Sequence, residues 1–331
     1  MLQKAVVFLS TKNLVLSHLE KNKGKALSGE AIAGELGVSR NAVWKAISEL
    51  RREGYDIEAS TNRGYTLTQS PDILSADGIR AGFENQALSG EIFVFEQLES
   101  TNKTAKELAG SGAAHGTAVF AKRQTGGIGR FGRSFISPPG GIYMSLVLRP
   151  DFLNFENLTT TTAAAAVCVC RALEGLGLAP QIKWVNDVFL NRKKICGILT
   201  EAVTDFESGT VGWIVLGIGI NFSVSMQDMP SDLSQTAACV FPDGSAPISQ
   251  NAFAVTLLEL LLSCFAESSD AEVYAQYKAR MLALGEEILV KQGDALFSAT
   301  ALDINESGHL IVKTKDGDTL ALSSGEVSIR I

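Results

Sequence analysis

The chain has 331 residues, 46% of them hydrophobic and 7% aromatic, with 29 lysines and arginines against 36 aspartates and glutamates. That length accommodates two or three domains with well-filled cores. Its longest apolar runs, such as Ala163–Cys170, fall well short of a bilayer span, and Met1–Leu9 is apolar but short and lacks a cleavage site, so a cytoplasmic protein with no membrane partner is expected.

The five cysteines form no C-x-x-C pair and the three histidines are scattered, which argues for reduced thiols and against a bound metal site. Charge is uneven along the chain. Residues 1–67 hold ten basic and seven acidic side chains, a balance of +3, whereas the remainder holds 19 and 29, a balance of −10. The first segment can therefore approach a polyanion that the rest would repel.

Residues 11–67 read as three short helices and a hairpin. Leu14, Leu16 and Leu19 mark the first helix; Ser28 caps the second, with Glu30 in its first turn and Ile32 and Leu36 on its inner face. Gly37 allows a sharp turn, and Ser39 caps a third helix that runs to Gly54 with Val43, Ala46, Ile47 and Leu50 inward. Arg40, Asn41, Trp44, Lys45 and Ser48 are left outside. Two helices joined by a glycine turn, the second with a polar outer face, are the helix-turn-helix pattern. Tyr55–Ser60, a tip at Thr61–Gly64 and Tyr65–Thr68 form a wing with Arg63 at its tip. Residues 1–68 are thus expected to be a winged helix-turn-helix that meets DNA through Ser28, Ser39, Arg40, Asn41, Trp44, Lys45, Ser48 and Arg63. A helical bundle used for protein contacts is the alternative.

Residues 75–281 alternate strands and helices. Strand-like runs are Ile92–Glu96, Ala118–Lys122, Tyr143–Leu148, Ile182–Leu190, Ile195–Ala202 and Trp213–Ile220; helical ones are Thr101–Leu108, Leu158–Leu173, Ala252–Phe265 and Val273–Met281. Residues 282–331 change to short strands punctuated by Gly293, Gly308, Gly317 and Gly325, the texture of a small SH3-like β-barrel. The expected fold class is α+β multidomain: the winged helix, a central α/β catalytic domain with a mixed sheet, and the barrel.

The stretch Gln124–Gly141 is the most informative. Gly127, Gly129 and Gly132 spell G-x-G-x-x-G, but Ser134–Gly141 carries two prolines and two glycines, so no helix can open there and a dinucleotide site is not expected. What remains is a mobile glycine loop bearing Arg130 and Arg133, able to fold over an anion. Four further clusters are more polar than a plain fold requires. Ser100-Thr101-Asn102 opens a helix. Lys183-Trp184-Val185-Asn186-Asp187 sets charges in an apolar strand run, which is costly unless they are paired or used. Lys193-Lys194-Ile195-Cys196-Gly197-Ile198 starts another strand after a turn at Asn191-Arg192, and Gly217-Ile218-Gly219-Ile220-Asn221 leaves room for a ligand close to backbone.

Taken with His115-Gly116-Thr117, these motifs resemble those of the biotin protein ligases in order and spacing. The resemblance spans essentially the whole chain and extends to the bifunctional bacterial members, which are both ligase and repressor of the biotin operon. It implies formation of biotinyl-5′-AMP from biotin and ATP, with Mg2+, then transfer to a lysine of the biotin carboxyl carrier protein. It also implies operator DNA as a partner and a ligand-promoted homodimer.

Carried over residue by residue, the catalytic set is Lys194, Arg130, Lys183 and Asp187. The biotin set is Ser100, Thr101, Asn102, Gln124, Ile128, Gly129, Arg130, Lys194, Gly197 and Ile198, and the nucleotide set is Gly127, Arg130, Arg133, Phe135 and Asn221. The chain departs from the family where Ile128 replaces an arginine, Phe135 a tryptophan and Val185 a proline. Ala237-Ala238-Cys239 likewise replaces Ala-Thr-Ser. Weaker retention of the adenylate is expected, since a lost charge-assisted bond costs roughly 1.5–3 kcal/mol. A ligase without operator function, a non-catalytic biotin-sensing transcription factor, and a lipoate ligase are the competing readings. The last lacks support from the Ser100–Asn102 and Gln124 set.

Overall fold

The structure, a computed structural model, describes residues 10–52, 54–60, 63–69, 74–83, 90–155, 159–204, 210–231, 233, 235–242, 244–293, 295–323 and 325–329. Met1–Leu9, Thr61 and Asn62 of the wing tip, Leu158, Arg330 and Ile331 fall outside them. The chain divides into two compact units, 1–87 with 248–255, and 88–247 with 256–331.

The first unit contains α1 (Thr11–Lys21), α2 (Gly29–Leu36), α3 (Arg40–Arg52), the antiparallel hairpin β1 (Asp56–Ser60) and β2 (Gly64–Gln69), and α4 (Ala76–Gly82). The side chains of Ser10, Ser28 and Ser39 each accept a first-turn N–H, from Asn13, Ala31 and Ala42 at 3.2, 3.0 and 3.1 Å, so each start is written in one serine. Gly37 ends α2 in the left-handed conformation at φ 66°, which glycine adopts without strain. Val15, Leu16, Leu19, Ile32, Val43 and Ile47 make the core, closed by Ile57 and Leu67 of the hairpin. Each such side chain stabilises the unit by about 1.5–3 kcal/mol. Sequence reasoning missed α4, because its seven residues include two glycines and bury one large apolar side chain, Ile79. Ser75 caps it through Gly78 N–H at 3.0 Å, and Ser75 N–H donates to Asn251 at 2.9 Å.

The second unit is built on a seven-stranded sheet. Its elements are β3 (Ile92–Phe95), α5 (Thr101–Gly110), β4 (Ala118–Ala121), β5 (Ile142–Leu148), α6 (Thr160–Glu174), β6 (Gln181–Lys183), β7 (Asp187–Leu190), β8 (Lys193–Thr204), β9 (Val211–Ile220) and α8 (Asp270–Ala279). The helix α7 (Gln250–Glu267) begins in the first unit and ends in the second. Strand order is β3-β4-β5-β9-β8-β7-β6, with β3–β4 parallel and the other pairs antiparallel, so the sheet is mixed. Successive residues of β8 point to opposite faces. Thr200 bonds Thr162 of α6 at 2.7 Å, while Glu201 reaches Asn102 and Lys106 of α5, so the two helices cover opposite faces.

One expectation is corrected. The run 182–190 is two strands: β6 and β7 form a hairpin in which Lys183 faces Asp187, and Trp184-Val185-Asn186 make the turn. The polar residues thus escape burial in a strand. The turn at Asn191-Arg192 is as expected, both residues having positive φ, 50° and 62°, as a two-residue hairpin of the favoured twist requires.

The C-terminal strands are β10 (Glu287–Gln292), β11 (Ala295–Ile304), β12 (Leu310–Thr314), β13 (Thr319–Leu322) and β14 (Glu326–Ile329). They form one antiparallel sheet in the order β13-β12-β11-β10-β14. Among the described residues no ladder joins β13 to β14, so no closed barrel is found there. Among the same residues, no helix is long and apolar enough to cross a membrane.

Candidate active site

The glycine-rich stretch folds back on itself. Gly129 N–H donates to Arg133 O at 2.7 Å and Phe135 N–H to Gly127 O at 2.8 Å, folding it into a short hairpin. Its tip is a single 3₁₀ turn, Arg130–Gly132, with Phe131 at φ 58°. No α-helix follows, which disposes of the dinucleotide reading. The hairpin overhangs a cleft of about 320 Å³. A second chamber of about 390 Å³ adjoins it, and the two share Ser134, Phe135, Lys183, Asp187, Lys194 and Leu233.

One end of the first chamber is a polar ring. Ser100 occupies the N-cap position of α5 yet makes no side-chain cap bond. The cap comes from Gln124, whose Oε1 accepts from Thr101 N–H at 2.8 Å, while Gln124 Nε2 donates to Ser137 at 2.9 Å. The Ser100 hydroxyl is thereby left to the chamber, which favours a binding role over ordinary capping. Asn102 is 8% exposed and is held by Ser145, Leu199 and Glu201.

Where the chambers meet, Lys194 Nζ lies 2.7 Å from Asp187 Oδ1 and 6.0 Å from the centroid of the Phe135 ring. Phe135 rests over Gly197 and Gly219, where an added Cβ would strike the ring. Arg130 Nη1 donates at long range to Asn186 Oδ1 (3.4 Å) and to Gly325 O (3.5 Å). Asn186 in turn takes Ile198 N–H at 2.9 Å and donates to Ile198 O at 2.6 Å, extending β7 along β8. Lys183 Nζ sits 5.4 Å from the Phe189 ring centroid.

Ile128, Gly129 and Arg133 belong to the wall of the first chamber, as do Gly197 and Ile198. Ile128 is 56% exposed at the mouth, so the position lacking an arginine offers an apolar lip. Two sequence-selected residues stand apart. Gly127 is buried at the foot of the hairpin, where a Cβ would meet Phe135 O, and Asn221 lines the second chamber only. Asn221 Nδ2 donates to Ala238 O at 3.1 Å, whereas its Oδ1 is buried with no hydrogen-bond partner, an acceptor kept dry at a cost unless a ligand meets it.

Sequence reasoning did not select Ser145, Lys106 or Glu201, which hold the polar ring from behind. The available signals were a serine inside the buried run Ile142–Leu148 and a carboxylate ending Gly197-Ile198-Leu199-Thr200-Glu201. Burial alone would raise the Glu201 carboxyl, but hydrogen bonds from Lys106 and Asn102 and the Lys106 charge carry it below the usual carboxylate range.

In the first unit, Arg40, Asn41, Trp44 and Lys45 are exposed on α3 and Arg63 on the hairpin. The oxygens of Ser28 and Ser39 serve as caps, and the Ser48 hydroxyl donates to Trp44 O at 2.8 Å.

Two chambers that share Lys183 and Lys194 suit a ligase that joins two anionic partners. The class is given by residues 94–221, which match the model of the biotin/lipoate A/B protein ligase family. Residues 283–330 match the biotin protein ligase C-terminal domain, and residues 11–66 an HTH domain. The chain is 35% identical over 300 residues to the bifunctional ligase/repressor BirA of Bacillus subtilis (strain 168), covering 88% of this chain and 90% of that one. It is 28% identical over 320 residues to the protein of the same name from Escherichia coli (strain K12), covering 93% and 94%. Among solved structures it resembles the biotin protein ligase from Aquifex aeolicus in complex with biotin and ATP. There the TM-score is 0.62 and the identity 28%, over 75% of this chain and 99% of that one. The chain belongs to the biotin protein ligase family.

Proposed function

We propose that the first chamber takes biotin and the second ATP, that the chain joins them as biotinyl-5′-AMP, and that it passes biotin to a lysine of the biotin carboxyl carrier protein. With the winged helix it also represses the biotin operon in response to biotin. The observation that carries this reading is the Lys194–Asp187 pair at the junction of the chambers.

In the first step a biotin carboxylate oxygen bonds the α-phosphorus and the bond to the departing pyrophosphate breaks. Lys194 draws the two repelling anions together, and Arg130 and Arg133 close over them from the hairpin. When anions engage Lys194, Asp187 is released from it and orients the incoming carrier amine, with Lys183 beside it. The amine then bonds the acyl carbon and AMP leaves.

Ser100, Thr101, Asn102 and Gln124 suit the ureido ring, whose N–H and C=O groups need partners; the dithiolane of lipoate would leave them unpaired. Gly197 and Ile198 line the tail, with Ile128 and Gly129 at the lip. Phe135 offers a ring face to the base, the orphan Asn221 Oδ1 suits its amino group, and Gly127 lets the hairpin close. Magnesium enters as the counter-ion of ATP. Among the described residues Asp187 is the only carboxylate lining either chamber, so the chain offers little to hold the metal by itself.

The remaining parts of the reading are three domains at 1–68, 75–281 and 282–331, the last an SH3-like barrel variant, and a cytoplasmic protein that forms a homodimer when the adenylate orders the hairpin. Incubation with ATP, magnesium, biotin and a carrier domain tests the ligase: labelling is expected, and Lys194→Met should slow adenylate formation by roughly 10²–10³-fold. A wild-type chain that labels nothing would refute it. A gel shift on the biotin-operon promoter with and without biotin tests the repressor.

A further inference from the structure

Behind the polar ring lies an ion pair that neither step of the proposed reaction uses. Glu201 lines neither chamber. One of its oxygens accepts from Asn102 Nδ2 at 2.8 Å and the other from Lys106 Nζ at 2.8 Å. Asn102 Nδ2 also approaches Leu199 O at 3.5 Å, and its Oδ1 accepts from Ser145 Oγ at 2.6 Å. The two ends of a carboxamide are alike in shape and opposite in hydrogen-bond sense. A carboxylate only accepts, so the amide nitrogen must face Glu201 and Oδ1 must face Ser145.

That choice propagates. Ser145 has one hydroxyl proton, and Asn102 Oδ1 requires it. Thr101 Oγ1 lies 2.8 Å from Ser145 Oγ and 3.1 Å from Gln124 Oε1, and with the Ser145 proton committed to Asn102 its own proton is shared between these two acceptors. Thr101 has then spent its proton and keeps lone pairs. Gln124 Oε1 is filled by the N–H and the hydroxyl of Thr101, and one of its two amide protons goes to Ser137, leaving the other. The ring of side chains is left with acceptors on Thr101 and Asn102, a donor on Gln124, and the hydroxyl of Ser100. A cyclic urea, two N–H donors flanking a carbonyl, is the complement of that set.

We propose that Glu201, paired with Lys106, is a positioning residue for the cyclic urea: it sets the sense of the Asn102 amide and hence the donor and acceptor pattern that the ring reads. This rests on the reading that the polar end of the first chamber takes the ureido group. A glutamine at 201 offers donor and acceptor alike, so only the long contact with Leu199 O still opposes a turned-over Asn102, and the chain of protons loses its direction.

The test compares the wild type, Glu201→Gln and Glu201→Asp in carrier labelling, with biotin and ATP varied separately. Glu201→Gln is expected to raise the biotin KM about tenfold or more. The ATP KM and the kcat at saturating biotin should stay within about twofold of wild type, because only ground-state recognition of the ring is lost. Glu201→Asp, which still only accepts, should fall nearer the wild type. An unchanged biotin KM in Glu201→Gln overturns the proposal. So does a parallel loss in kcat and both KM values, or an aspartate variant no better than glutamine. Should Glu201→Gln fail to fold by circular dichroism, Ser145→Ala, which removes the proton given to Asn102 Oδ1, must show the same selective rise in biotin KM or the proposal fails. A wild-type chain inactive with biotin would instead remove the reading beneath it.

Discussion

Gly217 and Gly219 stand two residues apart on β9 and face the same side of the sheet, yet each serves a different side chain. The sequence suggested that both leave backbone bare for a ligand. In the structure the space above Gly217 is taken by the Asn102 amide and that above Gly219 by the Phe135 ring. The glycines therefore accommodate the ligand's protein partners, one at each end of the cleft. Gly217→Ala is expected to push Asn102 from its place and raise the biotin KM with little change for ATP. Gly219→Ala displaces Phe135 and should raise the ATP KM more than the biotin KM. Each change is on the order of tenfold, about 1.4 kcal/mol. Steady-state kinetics with each substrate varied in turn checks this, and equal effects of both variants on both substrates would refute the division. At this scale the residues facing the cleft were legible because they are polar, glycine or cationic in an apolar run. Glu201, Lys106 and Ser145 were not, because they act through Asn102, and no spacing in the chain reveals which side chain braces another.

At the scale of elements, α3 was legible from both faces. Its apolar residues at helical spacing are buried, and its serine cap is in place. The hairpin β6–β7 was not, since Ile182, Val188 and Leu190 continue an apolar pattern across the turn and the break rests on the pairing of Lys183 with Asp187. The helix α3 also gives a test that leaves the cleft alone. Arg40 and Lys45 are exposed on its outer face while Ser28 and Ser39 are engaged as caps. Replacing Arg40 and Lys45 by alanine should therefore weaken operator binding and lower the slope of log affinity against log salt by about one per lost phosphate contact. Carrier labelling should be unchanged. Ser39→Ala should act differently, costing about 1 kcal/mol of the stability of the first unit through the lost cap. Titrations at several salt concentrations and thermal melts separate the two, and an unchanged salt slope in the double variant would remove α3 from the DNA-facing surface.

For the whole molecule, composition divides the chain at residues 68–75 and near 282, while packing in the structure groups 1–87 with 248–255. The difference lies in α4, whose sequence carries no helical stripe but whose packing ties it to the start of α7. Ser75 N–H bonds Asn251, and a Cβ on Gly82 would strike Val255. A chain shortened from the front consequently has two distinct outcomes. The ligase family models match residues 94–221 and 283–330, outside the winged helix, so labelling should survive its loss. A chain beginning at residue 70 keeps α4 over the first turns of α7. One beginning at residue 88 removes Leu74 and Ile79, both buried, and leaves Asn251 and Val255 uncovered. Losing the burial of even one such apolar side chain costs about 1.5–3 kcal/mol. At about 2–4 °C per kcal/mol for a body of this size, the shorter chain should melt roughly 3–12 °C below the longer. Both should fail to shift operator DNA, and both should label the carrier at temperatures well below their melts. Equal melting temperatures would mean that α4 contributes nothing to the ligase part and that the packing boundary near residue 87, not the composition one, is the functional division.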